Sequence, residues 1–196
     1  MKLLLKSLCV SFVITVLFSM IPFSAQCEDI SGEVFRLHIL ANSDSQSDQD
    51  LKLKVRNRVL SFTEELYKNA PDLNSAEELT FEKLRQIADV AKDEVIKNGY
   101  DYSVRAEIGN MSFDTRYYGR VTMPAGRYDA LRITIGEGKG HNWWCVMYPS
   151  LCVGAAADYD ELRDKTSGDS YDTMTGGYTI KFKIVEFFEK ICNIFS

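Results

Sequence analysis

Apolar residues recur at two different spacings along the middle of the chain, and this change of period indicates the fold class. Between residues 51 and 66, and again between residues 84 and 95, they lie three or four positions apart, as on one face of a helix. Over residues 102–108 and 131–135, apolar and polar residues alternate, which is typical of strands with one buried face. The sequence therefore predicts an α+β fold, with a helical hairpin packed on an antiparallel sheet of about four to five strands and a C-terminal amphipathic helix.

Capping and breaking residues set the limits of the two predicted helices. The first helix can begin at residue 47 or 48, a serine and an aspartate that both favour the N-cap position, and it must end before Pro71. Ser75 and Glu78 form a capping box in sequence, so the second helix is expected to begin there and to end at the next Asn-Gly pair. The short link around Pro71 would turn the chain back into an antiparallel hairpin.

Five stretches account for the predicted sheet. The first is the β-rich run Val34–Leu40, which ends in turn-forming residues. Residues 102–108, 116–123 and 131–135 follow the helices and are predicted to form a three-stranded meander. A further strand over residues 142–148 comes after a glycine-rich loop.

The N-terminal segment has the layout of a secretory signal. Two lysines precede an apolar run over residues 8–20, and residues 21–26 then bring a helix-breaking proline and small side chains. The run is shorter than the roughly 20 residues needed to span a bilayer, which favours cleavage near Ala25 over an uncleaved anchor. Residues 1–26 are therefore interpreted as a secretory signal segment, and either outcome places the chain from residue 28 onward outside the cytoplasm.

Three segments follow this signal. Residues 28–153 are expected to form the α+β domain, and residues 154–177, which are rich in Asp, Ser and Gly, a flexible acidic connector. Residues 178–196 regain helical spacing and form the C-terminal amphipathic helix. Its apolar face would allow this helix to pack on the domain. Its three lysines would equally allow it to lie on a membrane surface.

The charge of the chain argues against nucleic acid as a partner. The net charge is −5, and it becomes more negative when the two lysines of the signal segment are left out. The field of such a protein repels phosphate groups, and no run of Lys and Arg is long enough to reverse it locally.

Two cysteines bracket a short loop near the end of the domain. In an oxidising compartment, Cys145 and Cys152 are expected to form a disulfide that fixes the shape of this loop, and free thiols are the alternative. A zinc site would need more ligands, because His141 is the only nearby histidine, so no metal is expected.

The chain carries few residues suited to catalysis. It has two histidines; His38 lies within the first predicted strand and is interpreted as structural, and His141 follows the glycine-rich loop. A hydrolase would use Cys145 as nucleophile and His141 as base, but a disulfide-bonded Cys145 cannot attack a substrate. No hydrolase, metalloprotease or nucleotide-binding motif occurs, which leaves an undetected carboxylate pair as the other catalytic alternative. No catalytic residue and no cofactor are predicted.

The adjacent tryptophans are the strongest sign of a contact surface. Alternation along a strand sends Trp143 and Trp144 to opposite faces, so at most one of them can join the core beneath the helices. The other needs cover from elsewhere in the chain or from a partner, and exposed aromatic residues are typical of binding hot spots.

Two long motifs resemble those of one known family. The first reads RLHILANSDS over residues 36–45, continues with DQ at 48–49 and with LKLKVR over 51–56. The second reads NWWCVMYPSLC over residues 142–152. In this order the motifs are similar to those of the stage II sporulation protein R family of endospore-forming bacteria, and the similarity runs over about residues 34–153.

The resemblance implies a signal protein without catalytic activity. Members of the family are made in the forespore and secreted into the intermembrane space of the sporulation septum. There they activate a membrane-embedded aspartic protease of the mother cell, which leads to processing of a sigma-factor precursor. One departure from the family pattern is Ser150, where a second proline is expected. Without that proline, the loop is expected to be less rigid than in other members. The residues expected to contact the partner are Trp143, Trp144, Tyr148, Asn142, Asn42 and Asp44.

Overall fold

The computed structural model describes residues 2–151 and 159–195 and has an α+β fold, as predicted. The elements are, in chain order, α1 (Lys2–Ser31), β1 (Phe35–Leu40), α2 (Gln46–Tyr67), α3 (Leu73–Glu82), α4 (Leu84–Lys97), β2 (Val104–Phe113), β3 (Arg116–Tyr118), β4 (Val121–Met123), β5 (Gly126–Ile135), β6 (Asn142–Tyr148), α5 (Tyr159–Lys165), α6 (Gly168–Thr175) and α7 (Thr179–Phe195).

The main sheet has four strands in the order β2-β5-β1-β6, and it is mixed. Strand β1 pairs in parallel with β5 and antiparallel with β6, and β2 pairs antiparallel with β5. The prediction of an antiparallel sheet is therefore wrong for the pair β1–β5 and holds for the other two pairs. The helices that follow β1 carry the chain across the sheet, and such a crossover allows a parallel neighbour. Alternation identifies a strand but does not encode the direction of its neighbour.

The predicted three-stranded meander is also wrong. All ten residues of β2 pair directly with β5, from Val104 opposite Ile135 to Phe113 opposite Gly126. The stretch between them forms a separate two-stranded hairpin, β3–β4. Its Val121 and Met123 are fully buried, so the β-rich composition reflects packing on the domain and not membership of the main sheet.

Helices α2 and α4 cover one face of the sheet and form the main core, as the helical spacing predicts. The buried aliphatic residues of this core are Leu51, Val55, Val59, Ile87, Ala91 and Val95 from the helices and Leu37, Ile39, Leu131, Ile133 and Ile135 from the strands. Each Leu, Ile or Val side chain among them contributes about 2 kcal/mol when it leaves water.

The helix limits differ from the predicted ones at three places. Ser45 caps α2 by accepting a hydrogen bond from the backbone N–H of Asp48, so this helix begins at residue 46. The predicted capping box at Ser75 is wrong because the Asp72 carboxylate accepts from the backbone N–H of Ser75 at 2.8 Å and caps α3. The predicted second helix is also interrupted at Lys83, which ends α3 and precedes α4.

A second core lies on the other face of the sheet. It contains Phe113 and Tyr128 from the strands and Ile30 from the end of α1. Residues 159–177, expected to be a flexible connector, instead form helices α5 and α6, whose Leu162 and Met174 are fully buried in this core. The four aspartates of these helices are exposed, which explains why the pattern resembles a linker. Residues 154–158 of the expected connector lie outside the described residues.

The N-terminal segment forms one long helix that packs on the C-terminal helix. Pro22 was expected to break the apolar segment, but α1 continues through it to Ser31. A third cluster joins Met20, Phe23 and Cys27 of α1 to Phe182 and Val185 of α7. Within residues 2–151 and 159–195, none of the helices combines the length and the apolar character needed to cross a membrane.

Candidate functional site

The two motifs of the sequence analysis meet at one end of the sheet. Residues 41–48, after β1, and residues 136–142, before and at the start of β6, form a continuous surface that we call the loop surface. Backbone hydrogen bonds join its halves, from the Lys139 N–H to the Asn42 carbonyl at 3.2 Å and from the Gly140 N–H to the Ala41 carbonyl at 2.9 Å. Segments nearly one hundred positions apart in the sequence therefore share one backbone framework.

Asn42 holds this framework from both sides. Its side-chain oxygen accepts from the Glu137 backbone N–H at 3.0 Å, and its amide nitrogen donates to the Asp48 carboxylate at 2.9 Å. Asp48 is 4% exposed and also accepts from the Ser43 hydroxyl. Burial by itself raises the pKa of Asp48, but the hydrogen bonds from Ser43 and Asn42 outweigh it and hold this pKa below its usual range. These groups fix the shape of the loop surface.

Asp44 and His141 form the exposed part of the loop surface. The Asp44 carboxylate accepts from the His141 backbone N–H and contacts the His141 ring at Nδ1. The backbone hydrogen bond is the main reason why the pKa of Asp44 lies below its usual range. Both side chains remain accessible, with 55% of Asp44 and 80% of His141 exposed, so their polar atoms can meet another molecule.

Lys52 supports the loop surface from beneath, and the sequence analysis did not identify it. Its ammonium group donates to the His141 carbonyl at 2.8 Å and to the side-chain oxygen of Gln49, although only 4% of the residue is exposed. Burial lowers the pKa of Lys52. The available sequence signal was a lysine directly after the buried Leu51, on the edge of the apolar face of α2.

The two tryptophans lie on opposite faces of β6, as predicted. Trp143 packs against the main core, with the Arg56 guanidinium 4.2 Å from the centre of its ring. Trp144 packs against the second core and stacks on His38, with ring centres 3.8 Å apart. Both are half-buried, so each offers part of its ring and not its whole surface to a partner.

The other residues expected to contact the partner differ in exposure. Asn142 is exposed at the start of β6, beside His141, and Asn42 is half-buried. Tyr148 is 3% exposed, and its hydroxyl donates to the Ala70 carbonyl at 3.4 Å. The structure thus brings Asn42, Asp44 and Asn142 together at the loop surface and places Tyr148 inside the main core.

The sequence analysis also missed Arg36, which is fully buried behind Trp144. The Arg36 guanidinium lies 4.0 Å from the centre of the Phe113 ring and donates to the Tyr118 hydroxyl at 3.0 Å. That hydroxyl donates to the Trp144 carbonyl at 3.2 Å, so Arg36 supports the backbone of β6. The sequence did not identify Arg36, because a charged residue within a β-rich run gives no sign of burial.

His38, which the sequence analysis interprets as structural, lies next to this arrangement. Burial lowers the pKa of His38 to about 4, with a smaller contribution from the nearby Arg132.

The alternative with Cys145 as nucleophile gains no support from the geometry. Cys145 is fully buried in the main core, whereas the His141 ring contacts Asp44 at the surface. Cys152 lies outside the described residues, so the disulfide between Cys145 and Cys152 stays a prediction. Among residues 2–151 and 159–195, no group of three or more His, Cys, Asp or Glu side chains is arranged to hold a metal ion.

Comparisons with known proteins point to one family. The family model described as "Stage II sporulation protein R" matches residues 31–158. The chain is 40% identical over 146 residues to the "Stage II sporulation protein R" of Bacillus subtilis (strain 168). This alignment covers 74% of the chain and 65% of the relative, so about a third of the relative's length lies outside the aligned region. No solved structure matches the chain.

Proposed function

The chain belongs to the stage II sporulation protein R family and has a role in sporulation, and from this premise we propose that it is an intercompartmental signal. It is secreted from the forespore into the intermembrane space of the septum. There it activates a membrane-embedded aspartic protease of the mother cell, and the active protease processes a sigma-factor precursor.

The loop surface carries this proposal. It combines the two motifs that are most characteristic of the chain, and it holds exposed polar groups in a fixed arrangement. A preorganised surface loses little conformational entropy on binding, which favours recognition by direct contact. Asp44, Asn142 and the accessible part of Trp143 form the proposed contact site, with Asn42 and Lys52 as its supports.

Contact and not catalysis is the proposed mode of action. The name of the family states a process and no reaction. Cys145, the one cysteine considered as a nucleophile, is buried in the core. The exposed imidazole of His141 contacts the Asp44 carboxylate and not this cysteine. These observations support a protein that is recognised and does not itself break bonds.

The proposed mechanism is a shift between two states of the protease. The signal must bind the active state, which we take to be dimeric, more tightly than the inactive one, because a ligand with equal affinity for both shifts nothing. Each difference of about 1.4 kcal/mol changes the ratio of the two states about tenfold. A contact surface of a few residues is therefore sufficient.

Co-expression in a non-sporulating host tests the proposal. The host makes the protease and its sigma-factor precursor, with this chain, without it, or with this chain lacking residues 1–26. We expect the precursor to be cleaved only when the complete chain is present, because the contact takes place outside the cytoplasm. Equal cleavage without the chain, or with the form confined to the cytoplasm, would contradict the proposal.

One variant distinguishes contact from catalysis in the same host. His141→Ala removes the imidazole that the hydrolase alternative would use as its base, and it is expected to leave cleavage within a few-fold of the wild-type level because the proposed contacts are made by Asp44, Asn142 and Trp143. If cleavage is lost at wild-type protein levels and thermal stability, the hydrolase alternative gains support instead.

A further inference from the structure

Three arginines share the face of the main sheet that lies opposite helices α2 and α4. Arg132 of β5 pairs with His38 of β1 and with Glu107 of β2, and its guanidinium forms an ion pair with the Glu107 carboxylate at 3.0 Å. Side chains two positions apart in a strand point to the same face. Arg105, two positions before Glu107, and Arg36, two positions before His38, therefore lie on the face that carries Arg132.

The hairpin β3–β4 adds a fourth guanidinium to this side of the sheet. The Cζ atom of Arg116 lies 5.7 Å from the centre of the Trp144 ring, and Trp144 pairs with His38 across β6 and β1. We call the surface formed by Arg105, Arg116 and Arg132 the arginine face. It is basic in a chain whose net charge is −5.

The positive charge of the arginine face is not balanced by its neighbours. The ion pairs formed within residues 2–151 and 159–195 include Arg132 but not Arg36, Arg105 or Arg116. The Nε atoms of Arg36, Arg116 and Arg132 are buried and have no hydrogen-bond partner. A guanidinium keeps its positive charge in a protein, and to remove it from water without a counter-charge costs free energy. This arrangement favours an anionic ligand.

The arginine face is accessible and continuous with the loop surface. Arg105 is exposed, Arg116 is half-buried, and the Arg132 side chain is 37% exposed. Next along the same face of β1 is Leu40, which pairs with Asn142 of the loop surface. A molecule bound at the loop surface can therefore extend onto the arginine face.

The spacing of the arginines fits carboxylates on an extended segment. Arg105 lies diagonally opposite Arg132 on the neighbouring strand, and such diagonal neighbours are about 7–8 Å apart. Side chains two positions apart in an extended peptide are separated by roughly 7 Å. A guanidinium can also bind a carboxylate through two parallel hydrogen bonds. Alternate acidic residues of such a segment would therefore meet successive arginines.

A lipid surface fits the arginine face less well. Helices and loops that dock on lipid use apolar side chains as anchors. In the described part of the chain, none of the large hydrophobic side chains that are exposed belongs to β1, β2, β5 or β6. The face offers charge and hydrogen-bond donors, which suit an acidic protein segment.

From these observations we propose that the arginine face binds an acidic, extended segment of the partner protein, whose carboxylates contact Arg105, Arg116 and Arg132. The inference rests on the proposed function, because it adds a second part to the contact site at the loop surface. Arg36 does not touch the segment, but its buried charge strengthens the attraction from behind.

Binding of a defined peptide to the complete chain tests the proposal. The probe is a fluorescent peptide of Glu-Ser repeats, and the matched probe has Gln in place of Glu. We expect saturable binding of the Glu peptide alone. Its affinity should fall at least about fivefold when the salt concentration rises from about 20 mM to about 200 mM, because salt screens the charges. No binding of the Glu peptide, or equal binding of both peptides, would overturn the proposal.

Matched pairs of arginine variants locate the binding. Arg105→Gln with Arg116→Gln should weaken binding of the Glu peptide at least about fivefold, because two charges of the face are lost. Arg58→Gln with Arg85→Gln removes two exposed arginines from α2 and α4 and should change it less than about twofold. The proposal fails if the two pairs weaken binding equally.

Glu107→Gln should change the affinity in the opposite direction. It releases Arg132 from its ion pair and removes a negative charge from the face, so the Glu peptide should bind at least about twofold more tightly. A variant that only disturbed the fold would not bind more tightly. Unchanged or weaker binding would contradict the part assigned to Arg132.

Competition identifies the chemistry of the ligand. Inorganic phosphate and phosphatidylglycerol vesicles should each release less bound peptide than unlabelled Glu peptide does at the same concentration of charge. Equal or greater release by either would indicate a phosphate group or a lipid surface in place of an acidic segment, and it would overturn the proposal.

The co-expression host separates this proposal from the proposed function. If the wild-type chain promotes cleavage and Arg105→Gln with Arg116→Gln leaves it unchanged, the arginine face is not part of the contact and the proposed function stands. If the chain binds the Glu peptide through this face but promotes no cleavage, the proposed function fails and the site for an acidic segment stands.

Discussion

The two histidines of the chain have opposite surroundings. His38 is 6% exposed and stacks on Trp144, whereas the His141 side chain is 80% exposed at the loop surface. The sequence analysis could assign His38 to a strand because β-forming residues surround it. It could not show that Lys52 lies beneath the loop surface or that Arg36 packs on Phe113, because both depend on contacts between distant segments.

The burial of His38 predicts a pH dependence of stability. Its pKa falls from 6.5 to about 4 in the folded protein, mainly because burial disfavours the charged ring. Between pH 6.5 and 4 the unfolded chain therefore binds a proton that the folded protein does not, and stability decreases as the pH falls. The loss approaches roughly 3 kcal/mol across this window. Urea unfolding at a series of pH values measures it.

The other histidine provides the control for this experiment. His38→Gln should flatten the pH dependence between 4.5 and 6.5, whatever its effect on stability at neutral pH. His141→Gln makes the same change at a side chain that is 80% exposed, and the loss of stability with falling pH should persist in this variant. A wild-type slope in His38→Gln would show that other groups cause the pH dependence.

The Asp48 carboxylate gives a second prediction for a single residue. Asp48→Ala removes the acceptor for Asn42 and Ser43 and leaves two half-buried donors without this partner. The free energy of unfolding should fall by about 2 kcal/mol. Asp89→Ala, at an exposed position of α4, should change it by less than about 0.5 kcal/mol. Equal effects in urea unfolding would mean that Asp48 does not hold the loop surface together.

Whole elements were predicted well where one strong period marks them. The apolar face of α2 and the alternation of β6 both identify the side that the structure buries, including the opposite directions of Trp143 and Trp144. The pairing of β1 with β5 was not predictable, because periodicity is local and strand order depends on the whole chain. The same limit explains why β3 and β4 were assigned to the wrong sheet.

Gly140 gives a prediction at the level of the loop between β5 and β6. A Cβ atom at this position would meet the Ser43 carbonyl and the Ala41 side chain, so the backbone would have to move. Gly140→Ala should lower the free energy of unfolding by about 1–3 kcal/mol and separate the two halves of the loop surface. Gly109→Ala in β2 is the control, because no atom lies within 4 Å of the added Cβ. The result would contradict this account if both variants unfolded at the wild-type urea concentration.

At the scale of the whole molecule, β5 spans the distance between the α1–α7 contact and the loop surface. Its first residues, Gly126 and Arg127, line a cavity of about 280 Å³ with Cys27 of α1 and Val185 of α7. Its last residue precedes Gly136 of the loop surface. Ten strand residues span about 30 Å. The α1–α7 contact and the loop surface therefore lie at opposite ends of β5.

The central claim is that the loop surface is recognised by contact, and the fraction of sigma-factor precursor cleaved in the co-expression host tests it most directly. Asp44→Lys and Asn142→Ala alter exposed groups of the loop surface, and Asp89→Lys and Asn74→Ala make the same changes at exposed positions elsewhere. At equal levels of stable protein, we expect each loop variant to lower cleavage at least about tenfold, as loss of a hot-spot contact does. The two controls should stay within about twofold of the wild type. Full cleavage with both loop variants would contradict the account.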